Sequence, residues 1–173
     1  MNKEELSIVI EKHKLWLDNK DGGERANLVG ANLAGARLVD ARLDGANLAY
    51  ANLRGANLAG ANLDGAKLAF AKLSYANLDG ANLAFAKLSY ANLAGAKIHS
   101  NYTIKNNLYH LSNVGSENGT LIIADCEEGW YFNRGCFKGG KDEFLKAVEE
   151  THGDNKHGKF YKKIVEVYTE VSE

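Results

Sequence analysis

The segment THGDNKHG, residues 151–158, holds the densest group of side chains with metal-binding or proton-transfer chemistry. His152, Asp154 and His157 have ligand-type side chains, but a metal site also requires a definite ligand geometry. Glycines within the segment favour a turn between two helices, in which Asp154 or Asn155 caps the second helix and the histidines bond backbone carbonyls. We therefore expect no cofactor and no metal, and keep a metal-binding module as an alternative.

The two cysteines are the other candidate nucleophiles. Two apolar, β-forming runs flank a turn at residues 127–129 and predict a β-hairpin. Such pairing sets Cys126 opposite about residue 131 and Cys136 near residue 121, so we expect no disulfide. Cys136 has no obvious base in sequence, and no phosphate-binding loop, G-x-S-x-G elbow or HExxH motif is present. The sequence predicts that the protein is not an enzyme.

Aromatic and basic residues recur at intervals of twenty in the middle of the chain. Tyr50, Phe70 and Tyr90 follow this spacing, as do Lys67 and Lys87. We expect the three rings to stack along one edge, either as a stabilising ladder or as an exposed patch for a protein partner or a second copy. The lysines are expected to be solvated, because like charges stacked at strand spacing repel.

Fifteen consecutive five-residue units, residues 26–100, must position these side chains. Alanine recurs at every fifth residue from Ala26 to Ala96, and leucine follows two residues later until Ile98 closes the series. A period of five fits neither an α-helix nor a flat strand. It suits stacked turns in which one large and one small apolar residue point inward, as in a solenoid.

The units ANLAG, ANLDG and ARLVD resemble the A(D/N)LXX motif of pentapeptide-repeat proteins, over 75 of the 173 residues. The resemblance implies a mainly β fold, a right-handed quadrilateral β-helix with four pentads per coil. Fifteen pentads then make 3.75 coils, a rod about 18 Å tall at strand spacing. Asparagine before each leucine can form amide ladders between coils. The block LAFAKLSYANL recurs at an offset of fifteen, which fits either array expansion or engineering.

The resemblance implies a non-enzymatic structural or interaction scaffold whose specific role is unknown. Some members bind type II topoisomerases by mimicking DNA, which requires a strongly acidic rod. Residues 26–100 carry seven basic and four acidic side chains, a net charge of +3, which disfavours that alternative. The same charge is too weak to predict a nucleic-acid partner. A protein partner is expected instead.

The N-terminal residues 1–25 predict a capping helix and turn, because the open end of a solenoid exposes apolar columns and unpaired strands. Asn2 and Glu5 resemble a capping box. The apolar stripe of this helix comprises Leu6, Val9 or Ile10, His13 and Leu17, with Trp16 nearby.

Residues 101–173 predict a small α+β capping domain, the hairpin followed by two helices. In the first helix, Phe144, Leu145 and Val148 are expected to point inward. The expected inner face of the second comprises Phe160, Ile164, Val167, Tyr168 and Val171. The pattern GCF.G…EF…V…THGDN.HG..Y resembles the tail that follows the repeats in some bacterial and phage-encoded pentapeptide-repeat proteins.

The net charge and the N-terminal composition indicate where the protein is expected to function. The net charge is −1, and the first residues contain neither a signal peptide nor a membrane-spanning run. We expect a cytoplasmic protein without membrane contact. A folded domain at the C-terminal end of the rod favours a monomer over a homodimer.

Overall fold

The computed structural model describes residues 1–114, 119–135 and 137–170, with residues 106, 107, 110, 112 and 113 described by their backbone alone. The chain divides into two compact units, Met1–Thr103 and Ile104–Glu173. The predicted borders at residues 25 and 100 remain predictions. The regular elements, in chain order, are α1 (Lys3–Leu17), β1 (Lys97–His99), β2 (Tyr102–Val114), β3 (Gly119–Cys126), β4 (Gly129–Arg134), β5 (Phe137–Gly140), α2 (Lys141–His152) and α3 (Lys156–Glu170).

The first unit is a solenoid whose backbone repeats every twenty residues. Parallel bridges join each pentad to the pentad one coil further on, as in Asn27 with Asn47. The Leu28 N–H donates to the Asn47 carbonyl at 2.7 Å, and the Gly30 N–H donates to the Ala49 carbonyl at 2.9 Å. Because pentads twenty residues apart stack, four columns result. We number them first to fourth after their initial pentads, at residues 26–30, 31–35, 36–40 and 41–45.

Each pentad ends in a tight turn. The Ala31 N–H donates to the Leu28 carbonyl at 3.1 Å, closing a four-residue turn whose third residue, Gly30, has φ 64°. A positive φ at this place is typical of a type II turn and favours glycine. The fifth position of the pentad is therefore the one at which any other residue is strained.

Leucine and alanine fill the interior of the solenoid. Every leucine from Leu43 to Leu78 is fully buried, and the alanines from Ala46 to Ala71 are buried equally. Burying one leucine side chain contributes about 1.5–3 kcal/mol. The two residue types hence account for the pentad period, as expected.

Helix α1 precedes the solenoid and begins with the predicted capping box. The Glu5 N–H donates to the Asn2 side chain at 2.8 Å, and the Asn2 N–H donates to the Glu5 carboxylate at 2.9 Å. A Cβ on Gly23, in the turn after α1, would lie 2.4 Å from the Trp16 backbone nitrogen. Only glycine permits this close return of the chain.

The second unit holds an antiparallel sheet with strand order β2-β3-β4-β5. Strands β3 and β4 form the predicted hairpin, but the predicted register was wrong by two residues. Cys126 pairs with Gly129 and Leu121 with Arg134, because only two residues separate the strands. Strands β2 and β5 were not anticipated. Cys136 lies outside the described residues, so the expectation of no disulfide stays a prediction.

Helices α2 and α3 contribute buried residues to the core of this unit. Phe144 of α2 stacks on Phe132 of β4 with ring centroids 4.8 Å apart, and Tyr161 of α3 meets Phe144 edge-on. The predicted inner face of α3 was wrong in part, because Phe160 and Val167 are exposed while Val165 is buried. Val171, also predicted on this face, lies outside the described residues. The helix is rotated relative to that prediction.

Removing a core leucine tests the solenoid interior. We expect Leu58→Ala to lower the free energy of unfolding by about 2–5 kcal/mol, because a cavity forms among fully buried side chains. Leu88 is only half-buried, so Leu88→Ala should cost about half as much. Urea denaturation of both variants measures the difference, and equal losses would contradict a solenoid core centred on the middle coils.

Candidate functional site

Three aromatic rings form a continuous stack on the outside of the solenoid. The ring centroids of Tyr50 and Phe70 are 4.9 Å apart with planes at 2°, and those of Phe70 and Tyr90 are 4.9 Å apart at 13°. Their exposed fractions are 59%, 44% and 83%. The structure therefore brings together the three residues that the twenty-residue spacing predicted, and we call them the aromatic ladder.

The backbone under the aromatic ladder is strained. Tyr50, Phe70 and Tyr90 have φ of 60°, 59° and 59° at the fifth position of the pentad, where Gly30 stands in the first coil. The left-handed conformation costs a non-glycine residue about 1–2 kcal/mol. A stacked aromatic pair stabilises the folded state by about 0.5–1.5 kcal/mol. With two pairs for three strained residues, stacking at most offsets the strain.

Two more aromatic residues occupy fifth positions outside the ladder. Tyr75 and Phe85 have φ of 60° and 53°, and both are exposed. The Arg54 guanidinium lies 5.5 Å from the centroid of the Tyr75 ring, a cation–π distance. The Tyr75 ring also covers Gly95, where a Cβ would fall 2.6 Å from a ring carbon. Sequence reasoning noticed these two rings only as parts of the repeated block.

Lys67 and Lys87 stack directly, since they form one of the parallel bridges of the first column. Both are exposed, as predicted. Asparagine at this second position of the pentad makes hydrogen bonds that lysine cannot make. Asn52 donates its side-chain amide to the Asn32 side chain at 3.2 Å, and Asn52 Oδ1 accepts the Arg54 N–H at 3.3 Å. The predicted amide ladder is thus present between these asparagines, and a lysine cannot accept the turn N–H.

The segment containing His152 and His157 joins α2 to α3. The two imidazole centroids are 6.0 Å apart, and His152 stacks on Tyr161. Asn155 caps α3 by accepting the His157 and Gly158 N–H groups at 2.8 and 3.0 Å. Within the described residues, no group of three or more His, Cys, Asp or Glu side chains is placed to hold a metal ion.

Asp154 and Cys126 of the second unit have shifted pKa values. The hydrogen bond from Lys162 to Asp154, at 3.0 Å, lowers the pKa of the Asp154 carboxyl. Burial raises the pKa of the Cys126 thiol to about 12, so this thiol is protonated at neutral pH and is a poor nucleophile.

His13 is the buried titratable group of α1. Its side chain is fully buried, Nδ1 accepts the Ala26 N–H at 3.1 Å, and the imidazole stacks on Trp16. Burial lowers the pKa of His13, while the nearby Asp44 carboxylate partly opposes this shift. His13 is thus a packed residue that holds the first pentad, as its place in the apolar stripe predicted.

Contacts between α1 and the solenoid also involve charges that sequence reasoning missed. Arg42 donates to Asp18 at 2.8 Å, and this hydrogen bond lowers the pKa of the Asp18 carboxyl. Asp44 is half-buried: it accepts from the Asn62 amide and leaves its other oxygen buried without a partner. A pattern confined to the repeat could not reveal these neighbours from α1.

A model of pentapeptide repeats matches eight copies in this chain, over residues 26–65 and 61–99. A pentapeptide repeat protein from Nostoc is 34% identical, over 52% of this chain and 76% of that one, with a TM-score of 0.20. The chain belongs to the pentapeptide-repeat family. The comparison with curated protein sequences yields no match.

Two other solved relatives of this pentapeptide-repeat chain are 35% identical to it. One comes from the Arabidopsis thaliana thylakoid lumen, with 41% of this chain and 49% of that one covered and a TM-score of 0.40. The other is HetL of Nostoc, involved in heterocyst differentiation regulation, with 44% and 42% covered and a TM-score of 0.21. The chain spans about half the length of these relatives. No described helix has the length and apolar character needed to cross a membrane.

Stacking can be separated from backbone strain with two phenylalanines. Phe85→Gly should leave the free energy of unfolding unchanged or raise it by up to about 1 kcal/mol, because glycine relieves the positive φ. Phe70→Gly gives the same relief but removes two ring contacts, and should be less stable than Phe85→Gly by about 1–3 kcal/mol. Thermal and urea denaturation compare them, and identical stabilities would show that the ladder contributes no stacking energy.

Acidification should weaken the first unit through His13. Folding favours the neutral imidazole, so the unfolded chain binds more protons below the ordinary His pKa of about 6.5. The stabilising contribution is complete above that pH and decreases as the pH falls through it. His13→Asn keeps an acceptor for the Ala26 N–H without titrating, so its unfolding free energy should fall less between pH 7.5 and pH 5.5. An equal fall in both proteins would contradict this assignment.

Proposed function

We propose that this protein is a non-enzymatic interaction scaffold that binds a protein partner through the aromatic ladder and its neighbouring lysines, Lys67 and Lys87. One observation carries the proposal: exposed rings occupy a strained backbone position at which glycine would fit without cost. Strain kept at the surface, where core packing does not demand it, is a pointer to function. Large exposed aromatic side chains also supply much of the binding energy at protein interfaces.

The scaffold itself is proposed to be the right-handed, four-sided β-helix of the family. The twenty-residue backbone repeat and the turn at the end of every pentad support four sides of one pentad each. Such a rod is stiff, because each coil is hydrogen-bonded to its neighbours along all four columns. A stiff rod holds surface side chains at fixed spacing, which reduces the ordering cost of binding.

We further propose a cytoplasmic, monomeric protein. The low cysteine content, two of 173 residues, motivates the location, and the compact second unit motivates the oligomeric state. Sedimentation velocity of the full chain tests the second point, and a dimer at micromolar concentration would contradict it.

Co-purification from bacterial cells tests the role of the ladder. The triple variant Tyr50→Gly, Phe70→Gly, Tyr90→Gly replaces the rings with the residue that this turn ordinarily holds, so the fold should survive. We expect a protein that co-purifies with the unmodified chain to be depleted at least about tenfold with the triple variant. Quantitative mass spectrometry measures the depletion, and direct binding of the purified candidate confirms it.

The matched control lies at another turn of the solenoid. Asp40 also has a positive φ, 54°, at a fifth position, and Val39 is an exposed apolar residue beside it. The variant Val39→Ala, Asp40→Gly should retain the partner. Loss of the partner from both variants, or no difference among the three proteins, would contradict the proposal.

A further inference from the structure

The charges of the solenoid are divided between its columns. The first and second columns contain Arg54, Lys67, Lys72 and Lys87 and no acidic residue. The third and fourth columns contain all four acidic residues of the array: Asp40, Asp44, Asp64 and Asp79. The net charge of +3 is therefore unevenly divided. The first and second columns together carry +4 and form a basic half. The third and fourth columns carry three basic and four acidic residues, a net charge of −1.

The aromatic residues follow the same division. The aromatic ladder stands at the turn between the first and second columns, Tyr75 at the turn after the second, and Phe85 at the turn before the first. The remaining turn, between the third and fourth columns, holds Asp40 and two glycines. All five rings thus border the basic half, which we call the basic-aromatic face.

Charges on this face are not neutralised by neighbours. Within the described part of the chain, no carboxylate lies within ion-pair distance of Lys67, Lys72 or Lys87. Arg42 of the fourth column, by contrast, pairs with Asp18 at 2.8 Å. The three exposed ammonium groups are therefore available to an external anion.

The packing of the aromatic ladder indicates which kind of anion the basic-aromatic face can bind. A spacing of 4.9 Å between centroids is direct ring contact, so the ring faces are covered by one another except at the ends of the stack. Nucleobases bind proteins by stacking on the faces of aromatic rings. In this ladder most ring faces are already covered by the neighbouring ring, so they are not open to a nucleobase. The ring edges that remain exposed carry the positive side of the aromatic quadrupole and favour carboxylates and apolar groups.

We propose that the basic-aromatic face binds an acidic segment of a protein partner, with carboxylates at Lys67, Lys72 and Lys87 and apolar side chains against the ladder edge. This inference rests on the proposed function, which identifies the ladder as a partner site, and adds the chemistry of the partner. Charge complementarity supports it, because the face has four basic groups and no acidic group of its own.

Selection from a library of random peptides displayed on phage, using the intact protein as bait, tests the partner chemistry. We expect the enriched peptides to be rich in Asp and Glu interspersed with Leu or aromatic residues, and to bind less tightly at high salt. An enriched set without net negative charge, or no enrichment, would overturn the proposal.

Two charge-matched variants locate the binding of an enriched peptide. Lys67→Asn, Lys87→Asn removes two charges from the basic half and inserts the residue typical of that position. Arg37→Asn, Lys97→Asn removes two from the third column in the same way. Fluorescence anisotropy should show about a five- to tenfold loss of affinity in the first variant and less than a twofold loss in the second. Equal losses would overturn the assignment of the face.

Two other occupants are outcomes of the same experiment. Tighter binding of labelled oligothymidine than of the peptide, lost in the first variant, would assign the face to nucleic acid instead. Self-association abolished by that variant would assign it to a second copy of the chain. If the triple ring variant loses a cellular partner while the Lys67→Asn, Lys87→Asn variant keeps it, the ladder remains the partner site, the two lysines are excluded from that site, and this inference fails.

Discussion

The hydrogen bonds between successive coils set the geometry of the whole solenoid. Each coil donates backbone N–H groups to carbonyls of the neighbouring coils, in a parallel register that sets residue i beside residue i+20. A slip by one residue would place leucines outside and break both the buried columns and the turns. Core, turn and surface therefore share one register. The aromatic ladder and the stacked pair Lys67 and Lys87 both follow from it.

This register separates the demands on the inside from those on the outside. Leucine and alanine at two of five positions satisfy the core, and glycine would satisfy the turn. The remaining positions tolerate different side chains, as lysine in place of asparagine shows, and whatever they carry is stacked at the spacing of adjacent strands. Stacking turns a single ring into a ladder and a single lysine into a column. Surface chemistry is thus amplified by the repeat, which is why charge and aromaticity can be concentrated on half of the solenoid.

Repetition also explains which predictions were confirmed from the sequence. The pentad period predicted the solenoid, the amide pairs and the stack of Tyr50, Phe70 and Tyr90, because all three depend only on the interval of twenty. The hairpin register and the buried face of α3 lacked a period to constrain them. Their errors came from a turn two residues tighter than expected and from a helix rotation set by packing against Phe144. The ion pair of Arg42 with Asp18 was not predicted because Asp18 lies at the end of α1, outside the repeat.

The block that recurs at an offset of fifteen has a consequence for the surface. A shift of fifteen along the chain equals one coil less one pentad, so each copied side chain moves by one column. Lys72 of the second column becomes Lys87 of the first, and Tyr75 becomes Tyr90, the last ring of the ladder. A binding pattern one column wide would be lost by such a shift. A pattern two columns wide, bordered by three turns, is kept in part, because side chains of the second column move into the first, and this is the width over which the lysines and rings are found. An offset of fifteen is therefore compatible with a basic-aromatic face extended by copying.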